Sequence, residues 1–451
     1  MIKIYLKQAW SIIRQKRLFS SIYIIGTAMA IAITMTLFVI YYVKTGPIYP
    51  EYNRGRTAVV KLLNVTIFQK REGKEEPVRV ASFRAGINRN IIPDILEKND
   101  NIDVCTATST YTATKITADN RKQLQKKLLM RYTDVDFWQV FTFDFLSGRK
   151  FEEGDMTEKP QTAIITLRLA KELFASAQVI GREIEIGSRK YSIVGVVKSP
   201  SSAAMDSYAE VFVPSSLLNN PKMDQPFSVS SAHGSYDIYF TVKDRKHIKE
   251  TLEQIQNTIK RLNVEAADTF ESASVGDMFA QIDEFNLNPH WKSQLVNDSA
   301  GESIMEIVQR LMLLVFSLLI VPAINLSSMI SSQMEERKAE IGVRMAFGAT
   351  KGAVMKQVLW ENMLLTTIGG IIGLLLTWLI VYTGAEWVLT IFDMGEILSL
   401  AEKELNTDML MNPYIFITTF LVCLIINMAS AWLPARWALK HTIADSLNSK
   451  K

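Results

Sequence analysis

The sequence predicts an α-helical membrane protein with four transmembrane helices in a 1+3 arrangement and a large α+β extracytoplasmic domain between the first and second. Three observations predict it. Four stretches are almost wholly apolar, although the chain average of 48% hydrophobic and 21% charged residues would suit a globular protein. Lysine and arginine cluster at one end of each stretch. The block 44–303 carries mixed strand and helix patterns and is long enough for its own core.

The elements follow in order. Residues 1–18 read as a cytoplasmic amphipathic helix, with Ile2, Tyr5, Leu6, Ala9 and Ile13 on one face and Lys3, Lys7 and Arg14 on the other. The first span, 19–43, has no charge between Ser20 and Val43, and at ~1.5 Å per residue it exceeds the ~30 Å hydrocarbon core. A cleaved leader is the alternative, with small residues at Ala28 and Ala30, but the apolar run continues to Val43. The second span is 304–333, with Arg310 placed to snorkel at its outer end. The third is 357–383 and the fourth 412–433. Residues 363–382 hold no ionisable side chain, nor do the first and fourth spans, so no proton or sodium relay is expected.

Orientation follows from the positive-inside rule. Basic residues crowd the N-terminal segment, the 334–356 loop (Arg337, Lys338, Arg344, Lys351, Lys356) and the 434–451 tail. The 384–411 loop instead carries Glu386, Asp393, Glu396, Glu402, Glu404 and Asp408 against Lys403 alone. Both termini and the 334–356 loop therefore read as cytoplasmic, and 44–303 and 384–411 as external.

Within 44–303, Val59–Phe68 reads as a strand, and Arg182–Ile186 and Lys190–Val197 as a hairpin turning at Gly187-Ser188. Thr162–Thr166 reads as a strand running into a helix at Leu167–Phe174, and Glu210–Val213 and Tyr236–Val242 as further strands. Ile248, Leu252, Ile255, Ile259 and Leu262 repeat at helical spacing, predicting an amphipathic helix over Lys246–Leu262. The densest strand region, about 140–225, reads as an inserted subdomain. Ser199–Asp206 and Asn219–Gly234 read as loops, and Asp134 and Asp136 as solvated surface or turn residues.

Several classes of function are disfavoured. A net charge of +4 is too small to argue for nucleic acid as a partner. The two cysteines, Cys105 and Cys423, cannot make a disulfide framework, and the four histidines are scattered without a metal-ligand spacing, so no metal is expected. There is no nucleophile elbow, no paired carboxylate motif and no phosphate-binding P-loop.

The most informative stretch is 335–349, Glu335-Glu336-Arg337-Lys338-Ala339-Glu340-Ile341-Gly342-Val343-Arg344-Met345-Ala346-Phe347-Gly348-Ala349. It predicts a short charged helix. Glu340 and Arg344 form an i,i+4 pair in the favourable order. Ile341 and Met345 make an apolar edge, Gly348 ends the helix, and Thr350 caps the next one. Such a helix between two spans reads equally as a docking element or a plain connector.

This pattern resembles the E-R-x-x-E-I-G-x-R-x-A-x-G-A signature of the MacB/FtsX-like permease family of ABC transporters, of type VII architecture. Glu336, Arg337, Glu340, Ile341, Gly342, Arg344, Ala346, Gly348 and Ala349 stand at its positions. The likeness extends to Asn325, Glu361, Gly369, Gly370 and Gly373 in the spans, to Pro434-Ala435-Arg436 through Leu447, and to Val140–Gly148, Thr162–Phe174 and Ile180–Val197 in a MacB-like periplasmic core domain. It is weakest over about 45–135 and 265–303.

The resemblance implies a stand-alone permease subunit that is not itself an enzyme. It implies ATPase coupling through the 335–349 residues and helix packing through the five in the spans. It implies a separate cytoplasmic ABC ATPase that uses ATP and magnesium, with no cofactor on this chain. A second permease copy or paralogue would complete a dimer in the bacterial inner membrane, and a periplasmic adaptor and outer-membrane channel are further expected partners. The function implied is mechanotransmission to the outer domain for export or extraction of a peptide, lipoprotein or hydrophobic drug. The alternatives are an FtsX-like non-transport regulator of an extracellular hydrolase, and an anchored receptor or enzyme with no ATPase.

Overall fold

The computed structural model describes residues 17–72, 76–113, 115–118, 122–124, 128–218, 227–271, 276–294, 338–384 and 413–438, with scattered positions between 305 and 335. Residues 1–16 of the expected amphipathic helix, most of the 304–333 span and residues 385–411 of the expected external loop lie outside these. The chain divides into two compact units, one of 43–304 with 392–404, the other of 1–42, 305–391 and 405–451.

In the second of these units, two helices are long and apolar enough to cross a membrane, Ser20–Thr45 and Lys351–Thr383. A shorter apolar stretch, Phe416–Ala429, lies within the Pro413–Ala438 helix. The Lys351–Thr383 helix starts six residues before the expected span because Thr350 caps it, its hydroxyl accepting from Ala353 N at 3.2 Å. Lys351 and Lys356 thus sit in its first turns rather than in a loop. Glu361, inside the expected 357–383 range, is buried, so the described helices do hold an ionisable side chain.

The first unit is built on a continuous sheet. In chain order its strands are β1 (Thr57–Gln69), β2 (Val78–Ile87), β3 (Ile102–Ala113), β4 (Ile116–Ala118), β5 (Lys122–Leu124), β6 (Leu128–Thr133), β7 (Phe145–Gly148), β8 (Thr162–Thr166), β9 (Glu183–Ile186), β10 (Arg189–Val197), β11 (Val211–Pro214), β12 (His233–Gly234), β13 (Asp237–Val242) and β14 (Met278–Pro289). The order in space is β12-β2-β1-β13-β3-β6-β11-β8-β10-β9-β4-β5, with β14 on β1 and β7 on β10.

Strand β3 divides the sheet. Its first half pairs with β13 and its second with β6, and the chain then runs into β4, which pairs with β9. The run β3-β6-β11-β8-β10-β9-β4 therefore nearly closes on itself, which removes most of its exposed edge. Among the described residues, two of the apolar clusters are built on this sheet. One lies under the Ile248–Glu271 helix and draws on β1, β2, β3, β13 and β14. The other draws on residues 116–213, including Leu169 and Leu173 of the Leu167–Phe174 helix. This second core begins well before residue 140, so the subdomain boundary expected there falls inside it. The threonine-rich second half of β3 is polar enough in sequence to hide this.

Local chemistry explains the elements. Gly187 takes φ +63° in the two-residue β9–β10 turn, which a side chain resists. The amphipathic helix runs nine residues beyond Leu262, its apolar stripe continuing through Ala266. Asp134 is not a surface residue. It is buried, accepts from the Thr106 hydroxyl at 2.5 Å and from the Ala107 and Phe137 amides at 3.0 Å, and so fixes β3 to the start of the Phe137–Val140 helix. Burial raises its pKa despite these donors.

Candidate functional site

Lys338–Ala346 forms a helix, and Gly348 follows it at φ +94°. The glycine thus ends the element where a Cβ would be strained. Glu336 and Arg337 lie outside the described residues, as does the side chain of Glu340. Arg344 is exposed and donates to Gln357 Oε1 at 2.9 Å, tying this helix to the next.

The apolar edge differs from the expected one. Ile341 packs with Val354, Ala431, Met355, Val358 and Leu359, against the two apolar helices of its own chain. Gly342 is buried and Met345 half-buried. The apolar residues left outward are Val343 and Phe347, the latter 90% exposed. One helical turn separates them, so with Arg344 they present a mixed apolar and cationic edge. The sequence shows Ile341 and Met345 on one edge but not what covers it, because the helices that cover Ile341 begin ten and some seventy residues downstream. Ala346 and Gly348 are exposed, and Ala349 is half-buried.

The glycines of the Lys351–Thr383 helix make close contacts. A Cβ on Gly373 would lie 2.7 Å from Ala28 O and 3.1 Å from the Ile31 side chain. A Cβ on Gly369 would lie 3.0 Å from Thr27 Cβ, and one on Gly370 would lie 2.3 Å from the Phe420 ring. All three are buried against helices of the same chain. Hydrogen bonds reinforce the packing, one between the Tyr23 and Thr366 hydroxyls at 3.3 Å and one from Thr377 Oγ1 to Ala32 O at 3.3 Å. Asn325 lies outside the described residues.

A second centre, which sequence reasoning missed, is buried in the other unit. Arg54 is wholly buried and donates through Nη1 to the carbonyls of Val43, Lys44 and Gly46 at 2.8, 3.0 and 3.0 Å. It thereby satisfies the orphan carbonyls at the C-terminal end of the Arg17–Thr45 helix, where a cation is favoured. Its Nε donates to Glu51 Oε2 at 2.7 Å, and Nη2 to Ala203 O at 3.2 Å.

Glu51 Oε1 in turn accepts from the Ser207 amide and hydroxyl at 2.9 and 2.7 Å. Asp206 pairs with Lys61 Nζ at 2.6 Å and accepts from Gln294 Nε2 at 2.8 Å. His290 Nε2 lies 2.9 Å from Asp206 and 3.3 Å from Glu51, contacts of charge more than of aligned hydrogen bonds.

Burial works against these charges and the partners win. It raises the Glu51 carboxyl, but Arg54 and then His290 outweigh it and hold Glu51 at about 2. Lys61 and His290 likewise hold Asp206 well below the usual carboxylate range. Burial lowers the His290 imidazole, but Asp206 and Glu51 more than offset it, so its pKa is raised. The network joins the segment leaving the first helix, the 203–207 loop, strand β1 and the 290–294 turn. Its members are spread from residue 43 to residue 294, so no local spacing reveals them.

Comparison with known proteins places both units. The MacB-like periplasmic core domain model matches residues 20–258, and the FtsX-like permease C-terminal model matches 312–443. The chain is 26% identical over 243 residues to the uncharacterized ABC transporter permease YknZ of Bacillus subtilis, covering 53% of each protein. It is 24% identical over 323 residues to the macrolide export ATP-binding/permease protein MacB of Acinetobacter baylyi, covering 69% of this chain and 42% of that one. The chain thus spans about half the length, or less, of these relatives. Among solved structures, the periplasmic region of MacB from Actinobacillus actinomycetemcomitans aligns at TM-score 0.30 and 17% identity, covering 51% of this chain and 92% of that one. The extracellular domain of YknZ aligns at TM-score 0.32 and 15% identity, covering 49% and 100%.

Proposed function

Because the chain belongs to the MacB/FtsX-like family of ABC transporter permeases, with both of that family's domain models matched along it, we propose that it is a stand-alone permease subunit driven by a separate cytoplasmic ABC ATPase. It spans the bacterial inner membrane four times with both termini inside, and works as a dimer. ATP hydrolysis on the partner moves the helices, and the motion reaches the external domain, where it exports or extracts a peptide, lipoprotein or hydrophobic drug. A periplasmic adaptor and an outer-membrane channel are partners of that step in an envelope with two membranes.

The observation that carries this reading is the short helix Lys338–Ala346. It stands outward with Arg344, Val343 and Phe347, while Ile341 anchors it on the helices that must move. A plain connector needs neither the exposed phenylalanine nor the anchor. The buried network supports the second half of the path. It holds residues 43–46, where the first helix ends, and the 290–294 turn in one electrostatic unit.

The test uses the chain co-expressed with its ATPase. Phe347→Asp, Arg344→Glu and Glu340→Lys should each reduce co-purification or uncouple ATP hydrolysis, with membrane insertion unchanged. Unaltered co-purification and unaltered ATPase stimulation in all three would remove this helix as the docking element.

A further inference from the structure

A cleft of about 300 Å³ opens where the nearly closed run of strands leaves a mouth, between the β9–β10 turn and the ends of β3, β6 and β11. Barrel mouths are favoured places for ligands, and this volume is at the lower end of the ~300–1,000 Å³ usual for small-molecule sites. Its floor is apolar and belongs to the core, with Met130 and Ile186 buried. Its walls are three tyrosines. Tyr132 and Tyr191 are buried at 8% and 2% exposure, and Tyr111 stands open at 55%. Lys115 and Arg189, both exposed, line it together with Leu217 and Leu218 and the turn residues Gly187 and Ser188, and among the described residues no carboxylate does.

Tyr132 and Tyr191 also belong to the core, so what the core does not account for is the open Tyr111 beside two cations. A sheet end facing water covers apolar floor with polar side chains of mixed sign, whereas here the cover is aromatic and the charge all positive. Arg189 donates one N–H to Leu217 O at a long 3.4 Å, and among the described residues no carboxylate engages its guanidinium, whose fork suits an anion. Burial, with Tyr191 and Tyr111 nearby, raises the Tyr132 phenol above its ordinary value, so it remains a neutral O–H donor across the working pH range. The open face of Tyr111 offers flat apolar contact at low entropic cost, over the rims of Tyr132 and Tyr191.

We propose that this cleft is a binding site for a carboxylate carried on a small apolar or aromatic body, the carboxylate meeting Arg189 and Lys115 and the body lying among Tyr111, Tyr132 and Tyr191. A peptide C-terminus and a fatty acid share that chemistry. The site deepens the proposed transport role by naming what the outer domain recognises, but its test needs no ATPase, so its failure and the failure of that role are separable.

The experiment titrates full-length chain in nanodiscs with dansylated leucyl-phenylalanine, read by fluorescence anisotropy. The free acid should bind saturably, and its C-terminal amide at least ~10-fold more weakly. Arg189→Glu and Lys115→Glu should each cause a similar loss, and Tyr111→Ser a smaller one. All three positions are exposed, so folding is retained, and an unchanged circular dichroism spectrum confirms it. Laurate should displace the probe if the fatty acid shares the site, and amidated peptide should not. Equal binding of acid and amide, or full binding by the Arg189→Glu and Lys115→Glu variants, would overturn the assignment.

Discussion

Arg54 is the residue whose loss should cost most in the outer domain. Removing it leaves Glu51 charged and buried beside His290, and strands the carbonyls of Val43, Lys44 and Gly46. Breaking a buried pair from one side costs ~3–5 kcal/mol. Arg54→Met should therefore expose the Ser207 amide, which Glu51 holds, to faster hydrogen exchange. Unchanged protection would mean that the network is ornamental. The same network sets a pH window. Glu51 and Asp206 have folded pKa values below their unfolded ones, so their stabilisation is present above the unfolded carboxylate range, about 4.5 for Glu51, and is lost as pH falls through the folded values, about 2 for Glu51. His290 has a raised folded pKa, so its share is full below its unfolded value of ~6.5 and is lost as pH rises through the folded one. Protection of Ser207 should peak between roughly 4.5 and 6.5 and decline on both sides. In His290→Gln the alkaline decline should flatten, and its persistence there would assign it to another group.

At the scale of elements, what was legible in the sequence was whatever local pattern decides. The β9–β10 hairpin, the strand-to-helix step at Thr166, the Ile248–Glu271 stripe and the caps at Gly348 and Thr350 all rest on neighbours within a turn or two. The structure places these elements close to their expected ranges. Pairings over long separations were not legible. Nothing near Asp134 in sequence says that it faces β3, and nothing near Ile341 says that Ala431 covers it. The glycines show both sides. Their spacing predicts close helix approach but not the partner, and the contacts lie within one chain, to Ala28 and Ile31 for Gly373. Gly373→Leu should force the first helix away, since backbone at 2.7 Å cannot yield as a side chain can, at roughly 1–3 kcal/mol for overpacking. The atoms nearest Gly370 are those of the Phe420 ring, which can rotate, so Gly370→Ala with Phe420→Leu should be tolerated. Disulfide trapping between cysteines at Ile31 and Leu374 would report the first change by a lower yield, and an undiminished yield in Gly373→Leu would argue against the contact.

For the whole molecule the question is where the energy enters. The described membrane helices bury one carboxylate, Glu361, so an ion-coupled alternative has a single named candidate among the described residues. Ion-coupled carriers keep such groups because a charge at mid-bilayer costs ~2.5–3.5 kcal/mol even on insertion scales. Glu361, however, lies only ten residues into a helix that starts at Lys351, about 15 Å along its axis at ~1.5 Å per residue. One acid at that depth, without a second further along the same helix, does not make a relay. The proposed route is instead from the ATPase through the Lys338–Ala346 helix and the packed glycines to the Arg54 network. Spin labels at Lys249, whose side chain is 88% exposed in the outer domain, and at Lys351, at the start of the helix, span that route. On the proposed orientation, a membrane-impermeant thiol reagent should reach a cysteine at Lys249 from outside and not one at Lys351. In nanodiscs with the ATPase, ATP should change the distance between the labels. Replacing the partner's catalytic glutamate should leave ATP binding but stop the cycling between distances. In proteoliposomes, a protonophore should leave the cycling intact, and so should Glu361→Gln, which keeps shape and removes charge. Cycling that survives loss of ATP hydrolysis, or that stops with the protonophore while hydrolysis continues, would move the energy source from the partner to the membrane.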